Sequence, residues 1–147
     1  MSEVFYYYGK NSSYVFEQFI RHFLISIYGV LFAALIAIPL GFFVARRKKL
    51  SRITISIANV MQTIPSLAML AILMFAIGTG PNTVVFAVFL YAILPILKNT
   101  VSGINSVTPE LIDAATGMGM TKKQLMTKVE LPLAISIIMG GIRNALV

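Results

Sequence analysis

Length, composition and charge restrict the class of protein first. The chain has 147 residues, of which 58% are hydrophobic and 12% charged, and its formal net charge is +7. A soluble domain carries roughly a quarter charged residues, so an ordinary soluble enzyme or regulatory domain is excluded and a membrane protein is indicated. The chain has no cysteine, which excludes a disulfide framework and a thiolate metal site.

Three uncharged apolar runs come first along the chain. The first covers about 23–45 and the second about 53–77. Each is long enough to cross a bilayer, which takes about 20 helical residues. The third, about 82–97, is short for a crossing, so we expect it to be steep or to extend into its flanks. The sequence GTGP at 78–81 predicts a tight turn, which makes the second and third runs a hairpin.

A fourth apolar run opens at 133–147 and contains Arg143. Because a crossing takes about 20 residues, we expect the natural protein to continue beyond this N-terminal portion, and the alternative is a genuine short product. A charge inside a span is by default a functional hypothesis. Two structural alternatives stay open for Arg143: the fourth span starts later, or the side chain snorkels or pairs at a helix break.

The basic residues define an orientation. Five of them form one cluster between the first and second runs, namely Arg46, Arg47, Lys48, Lys49 and Arg52. The connection 98–132 is also basic, whereas the segment before the first run carries only Lys10 and Arg21. Basic residues concentrate on the cytoplasmic side of a membrane. We therefore expect the N-terminus outside and the 98–132 connection in the cytoplasm.

Within this connection, the first helix has clear boundaries. Thr108 is a candidate N-cap, Pro109 suits the first helical position, and the helix is predicted over about 109–116. Either Gly117 or Gly119 is predicted to end it in a left-handed conformation.

A second helix is predicted directly after it. Thr121 and Gln124 have the spacing of a capping box, in which each side chain bonds the other residue's backbone N–H. The helix is expected to continue to Leu131, and Pro132 then begins or kinks the fourth span.

The segment Asp113–Pro132 also matches a known spacing. An acid and two alanines are followed by a glycine six residues after the acid, and the segment closes with Val129, Leu131 and Pro132. This resembles the EAA loop of the membrane subunits of bacterial ATP-driven importers, where Asp113 replaces the usual Glu and Val129 the usual Ile. In that family the loop is a cytoplasmic helix that docks on the ATP-hydrolysing subunit.

The resemblance implies a docking surface on this loop. An apolar stripe of Leu111, Ile112, Ala115 and Met118 is predicted to face the partner. The predicted docking residues are Leu111, Asp113, Ala114, Ala115, Met118 and Gly119. The alternative is a helix lying on the membrane surface, which leaves the continuation to Pro132 unexplained. We expect Gly119→Arg and Ala115→Trp to abolish docking without affecting insertion.

Polar residues interrupt the second apolar run and make it a candidate translocation path. They are Asn59, Gln62, Thr63, Pro65 and Ser66, and we add Arg143 of the fourth run to this set. Polar groups at membrane depth face a water-filled path or bond neighbouring helices, and both readings stay open for Gln62 and Ser66. Pro65 is expected to permit a kink.

Three longer segments carry a narrower resemblance. QTIPSLAML from Gln62, YAILPILKNT from Tyr91 and MGMTKKQL from Met118, followed by VELPLA, are similar to permeases of osmoprotectant importers. The resemblance implies an all-α polytopic bundle of the type I importer fold in a bacterial cytoplasmic membrane, carrying glycine betaine, carnitine or choline. It also implies a second, identical or different permease subunit, two ATPases and an external binding protein.

Other classes of protein predict sequence features that can be compared with this chain. The chain has no phosphate-cradling loop, so ATP and Mg²⁺ are expected in a partner subunit and no cofactor in this chain. A methionine-type or other small-solute importer would share the loop. A secondary transporter or channel predicts inverted repeats, which are not seen. An enzyme would need converging catalytic groups, and five acids with the single His22 do not supply them or a metal site.

Overall fold

The protein is described by a computed structural model over residues 9–147, and all the regular secondary structure in that range is helical. The elements are α1 (Ser12–Ala45), α2 (Lys48–Thr63), α3 (Ser66–Ile77), α4 (Pro81–Asn105), α5 (Pro109–Gly117), α6 (Lys122–Leu125), a π-helical turn (Met126–Glu130) and α7 (Leu131–Leu146). The expected all-α class is confirmed. The N-terminus itself, which we expect on the external side of the membrane, lies beyond the described residues.

Three helical stretches of the described chain are long and apolar enough to cross a membrane. They are Ser12–Ala45, Pro81–Asn105 and the combined stretch Lys122–Leu146. The third predicted run, 82–97, is therefore part of a longer helix that extends toward its polar flank. Its 25 residues remove the difficulty that the apolar run alone was short.

The second predicted run, 53–77, is not one helix. It is divided at Ile64–Pro65 into α2 and α3, whose axes are bent by 91°. Pro65 has no N–H to continue the ladder, and Ile64 adopts an extended conformation with ψ 125°. The kink expected at Pro65 is thus a complete break, and the two parts form either a broken span or a re-entrant hairpin.

The helix α4 is the centre of the bundle. The largest fully buried side chains, Ile96, Leu97, Thr100 and Ile104, all belong to it. Small residues on its neighbours allow close approach: a Cβ built on Gly41 of α1 would lie only 2.6 Å from Thr100 Cγ2. Close packing at small residues is the usual way helices associate in a membrane, where the hydrophobic effect does not hold them together.

Candidate functional site

The loop between α4 and α7 begins with the predicted cap position. Thr108 is extended, with φ −68° and ψ 148°, and Pro109 starts α5. The Thr108 side chain does not cap the backbone of α5. Instead, two hydrogen bonds to the Glu110 carboxylate lower its pKa below the usual value of 4.5. The larger effect comes from the backbone N–H of Glu110, and the smaller from the Thr108 hydroxyl. An acid in the first turn also suits the positive end of the helix dipole.

The turn that follows α5 is made by Gly119. Its φ of +83° is left-handed, whereas Gly117 remains helical, so Gly119 is the one of the two predicted glycines that changes the chain direction. The Gly119 N–H donates to the Thr116 carbonyl at 2.9 Å and the Met120 N–H to the Ala115 carbonyl at 3.2 Å. These bonds satisfy carbonyls that the end of a helix leaves free.

The capping box that opens α6 is confirmed. The Gln124 N–H donates to Thr121 Oγ1 at 3.3 Å, and the Thr121 N–H donates to Gln124 Oε1 at 2.8 Å. The helix predicted to continue to Leu131 is interrupted, however. After four residues it becomes the π-helical turn Met126–Glu130 and then passes into α7. Pro132 lies in the first turn of α7, where its missing N–H is tolerated.

The predicted docking residues separate into two groups. Met118 is 73% exposed and Leu111 48%, and Asp113, Ala114 and Gly119 are also exposed. Ala115 is only 3% exposed because it faces the interior of this same chain. This burial is unfavourable for a direct contact with a partner, and the docking role of Ala115 stays a prediction.

This geometry also corrects the two substitutions expected to abolish docking. A Trp at Ala115 would have to fit an enclosed site, and any side chain at Gly119 would be strained by the positive φ. Both would damage the loop's own fold. The exposed Leu111 and Met118 are the residues that test docking.

Two hydrogen bonds that both involve Tyr91, here called the Gln62–Tyr91 clasp, stabilise the break between α2 and α3. Gln62 Nε2 donates to the Tyr91 backbone carbonyl at 3.0 Å. The Tyr91 hydroxyl in turn donates to the backbone carbonyl of Ile64, at the break. The backbone carbonyl of a helical residue normally accepts a hydrogen bond from the N–H four residues later. For Tyr91 that residue is Pro95, which has no N–H. Gln62 therefore replaces a donor that Pro95 cannot supply.

Gln62 thus makes an interhelical hydrogen bond, one of the two roles left open for it, and its place on a translocation path stays a prediction. Gln62 also borders a cleft of about 360 Å³ together with Lys98, Asn99, Ser102 and Asn144. This cleft is lined by polar groups from three helices, which offer hydrogen-bond partners to a polar solute or to water.

The other predicted path residues occupy different places. Asn59 and Thr63 are exposed on α2, and the Thr63 hydroxyl bonds its own helix at Val60. Ser66 borders a second cleft, of about 360 Å³, on the α3 side of Tyr91. Arg143 is exposed and makes no ion pair with another described residue, and its neighbour Asn144 reaches the Gln62 cleft instead.

Two functional candidates were missed by sequence reasoning. Tyr91 bonds Gln62, and Asn144 lines the same cleft as Gln62. Tyr91 could have been found from the sequence, because its carbonyl lies four residues before Pro95 and therefore lacks a helical donor. The ion pair between Arg46 and Glu130 joins residues 84 positions apart, and no local pattern indicates it.

Comparison with known proteins defines the class. Residues 37–147, most of the chain, match the family described as the inner membrane component of binding-protein-dependent transport systems. The chain belongs to this family, and with its apolar helices it is a multi-pass protein of the cytoplasmic membrane.

The relatives narrow the comparison. The chain is 60% identical over 141 residues to the carnitine transport permease protein OpuCD of Listeria monocytogenes, covering 96% of this chain and 63% of that protein. It is 50% identical over 147 residues to the choline transport system permease protein OpuBD of Bacillus subtilis, covering 100% and 65%. It is 38% identical over 143 residues to the Listeria carnitine permease OpuCB, covering 97% and 66%. The chain thus spans somewhat less than two thirds of these proteins' length.

Proposed function

We propose that this chain forms part of the translocation subunit of an ATP-driven importer for quaternary ammonium osmoprotectants. The observation that carries the proposal is 60% identity to a carnitine permease across 96% of the chain. The exposed apolar residues of α5 and the following turn supply a surface that such a subunit needs. The relatives reported above are named for carnitine and choline, and we assign these solutes and the chemically similar glycine betaine to the complete protein.

The docking surface is centred on Leu111 and Met118, with the Asp113 carboxylate beside them. In the proposal, an ATPase subunit binds here and holds ATP and Mg²⁺, while this chain supplies no cofactor site. The exposed carboxylate would accept charge-assisted hydrogen bonds from that subunit. Ala114 and Gly119, also exposed, leave room for close approach of the two backbones.

Translocation follows the polar face of α2 in this proposal. Asn59 and Thr63 are exposed, and Gln62 opens on the polar cleft shared with Asn144. Polar groups at membrane depth that no neighbour covers belong on a water-filled path. Ser66 at the start of α3 and Arg143 on α7 extend this assignment. The segment from α5 to the end of the π-helical turn, residues 109–130, is here called the docking loop. Its motion would tilt α7 against α4 and change access to the cleft.

Orientation and assembly complete the proposal. The basic residues around Arg47 and Lys122 support an orientation with both connections in the cytoplasm and the N-terminus outside. The similarity to both OpuCD and OpuCB, two carnitine permease proteins of one organism, supports pairing with a second permease chain. An external binding protein would deliver the solute and set most of its specificity.

The test is purification of the full-length protein from its own membranes with identification of what accompanies it. Co-purification of an ATPase and a solute-binding protein, with ATP-dependent uptake of carnitine, glycine betaine or choline in proteoliposomes, would support the proposal. Uptake of methionine instead would move the protein to another importer class. Uptake without ATP by the protein alone would make it a secondary transporter or channel.

A further inference from the structure

One ion pair connects the docking loop to the first helix. The Arg46 guanidinium, at the C-terminal end of α1, donates to Glu130 Oε1 at the end of the π-helical turn. The side chain of Glu130 is 8% exposed and that of Arg46 is 45% exposed. Among residues 9–147, Glu130 is the one buried charged side chain, and the pair is the one ion pair. Burial of a carboxylate is unfavourable unless a partner compensates its charge.

The position of Glu130 gives the pair its significance. The segment that carries docking, α5 and α6, joins the membrane bundle through the turn Met126–Glu130. Short π-helical turns are rare and occur often at functional sites. Arg46 also borders an apolar groove with Phe42 of α1 and Leu131 of α7. The turn, the end of α1 and the start of α7 therefore meet at this ion pair.

We propose that Arg46 and Glu130 are positioning residues that transmit movement of the docking loop to α1. When an ATPase displaces α5, the continuous backbone from the π-helical turn into α7 moves α7. The ion pair makes α1 follow, so both helices packed on α4 move as one unit. Without it, α7 moves alone and the cleft beside Gln62 is opened inefficiently. This inference rests on the proposed function, since it needs an ATPase that acts on the loop.

The experiment measures solute transported per ATP hydrolysed by the full-length permease with its ATPase in proteoliposomes. In Glu130→Gln and in Arg46→Gln, we expect this ratio to fall about tenfold, within the range of common coupling energies, while the complex still assembles and hydrolyses ATP. The matched control is Arg47→Gln. Arg47 is the next basic residue, its guanidinium lies 5.0 Å from the centre of the Phe43 ring, and it makes no ion pair with a described residue. Its ratio should be unchanged.

Conservative variants distinguish coupling from a purely structural role. Arg46→Lys and Glu130→Asp keep the charges and should retain most of the transport ratio, and the double exchange Arg46→Glu with Glu130→Arg should recover part of it. A normal ratio in both neutral variants would overturn the inference. So would loss of assembly in both, which would make the pair structural. Failure of the importer proposal itself would appear in the unmutated protein as absent ATPase or ATP-independent uptake, and it would remove the pair's role as well.

Discussion

The docking loop and the broken second span differ in where their structures are specified. In the loop, the bonds that set the turns join residues within five positions of each other, such as Thr121 with Gln124. In the second span, the break at Pro65 is held by Tyr91, 27 to 29 positions away. The loop thus encodes its own shape, whereas the bend depends on packing against α4.

The difference has a consequence for function. In the proposed function, a loop whose shape is set by local bonds keeps that shape when an ATPase subunit displaces it. A bend held by two hydrogen bonds from one residue can change when α4 shifts, since only the Gln62–Tyr91 clasp must rearrange. Interhelical hydrogen bonds in membranes contribute modestly, about 0.6 kcal/mol on average, so such a rearrangement is accessible.

The largest effect is expected at the exposed tip of the loop. Met118→Glu places a charge in the proposed docking surface without touching the loop's internal bonds, because the side chain is 73% exposed. Hot-spot residues of an interface contribute about 2 kcal/mol or more, and with Met118 in that role uptake by the assembled importer should fall at least about tenfold. Uptake assays in proteoliposomes check this, with Met118→Leu as the control that should remain active. Normal uptake by Met118→Glu would remove this tip from the docking surface.

The second effect concerns the bend. Gln62→Leu removes the donor to the Tyr91 carbonyl and should reduce the free energy of unfolding by about 1 kcal/mol, the usual net contribution of one hydrogen bond. Unfolding in detergent measures the change.

A double-mutant cycle sharpens this prediction. Pro95→Ala restores the helical N–H that Pro95 lacks, so Gln62→Leu should cost less in that background than alone. Equal costs in the two backgrounds would show that Gln62 does not serve the carbonyl freed by Pro95.

A third effect isolates the turn of the loop. Gly119→Ala forces a Cβ into the left-handed region at φ +83° and should destabilise the loop by about 1 kcal/mol, the lower end of the usual cost. Gly117→Ala is the matched control, because Gly117 is helical and a Cβ there meets nothing within 4 Å. Hydrogen exchange of the loop amides compares the two variants. Equal protection in both would contradict the assignment of the turn to Gly119.

The smallest effect is expected at the capping box. Thr121→Ala removes the acceptor for the Gln124 N–H and should cost about 0.5 kcal/mol, the lower end of the usual N-cap contribution, because this short helix is exposed. The loss should appear as faster exchange confined to α6, with the bend at Pro65 unaffected. Faster exchange at α2 as well would mean that the loop and the bend are not independent.

The same division explains what the sequence predicted. Apolar runs located the helices of the bundle, and Pro109 and Thr121 marked the beginnings of α5 and α6 because each acts on its own backbone. The sequence left Gly117 and Gly119 as alternatives for the end of α5. The inward position of Ala115 and the 91° bend were not predictable, because both depend on which helix lies opposite. The partnership of Arg46 with Glu130 depends on packing in the same way. The docking assignment rests on family resemblance and the path assignment on polar residues at membrane depth, and both remain predictions.

Cysteine cross-linking would test the docking surface most directly, since residues 1–147 contain no cysteine. Met118→Cys and Ala115→Cys would each be introduced into the full-length protein, assembled with its ATPase and treated with a short thiol cross-linker. The account predicts a permease–ATPase product from position 118, at 73% exposure, and none from position 115, at 3%. No product from Met118→Cys in an assembled complex, or an equal yield from Ala115→Cys, would contradict it.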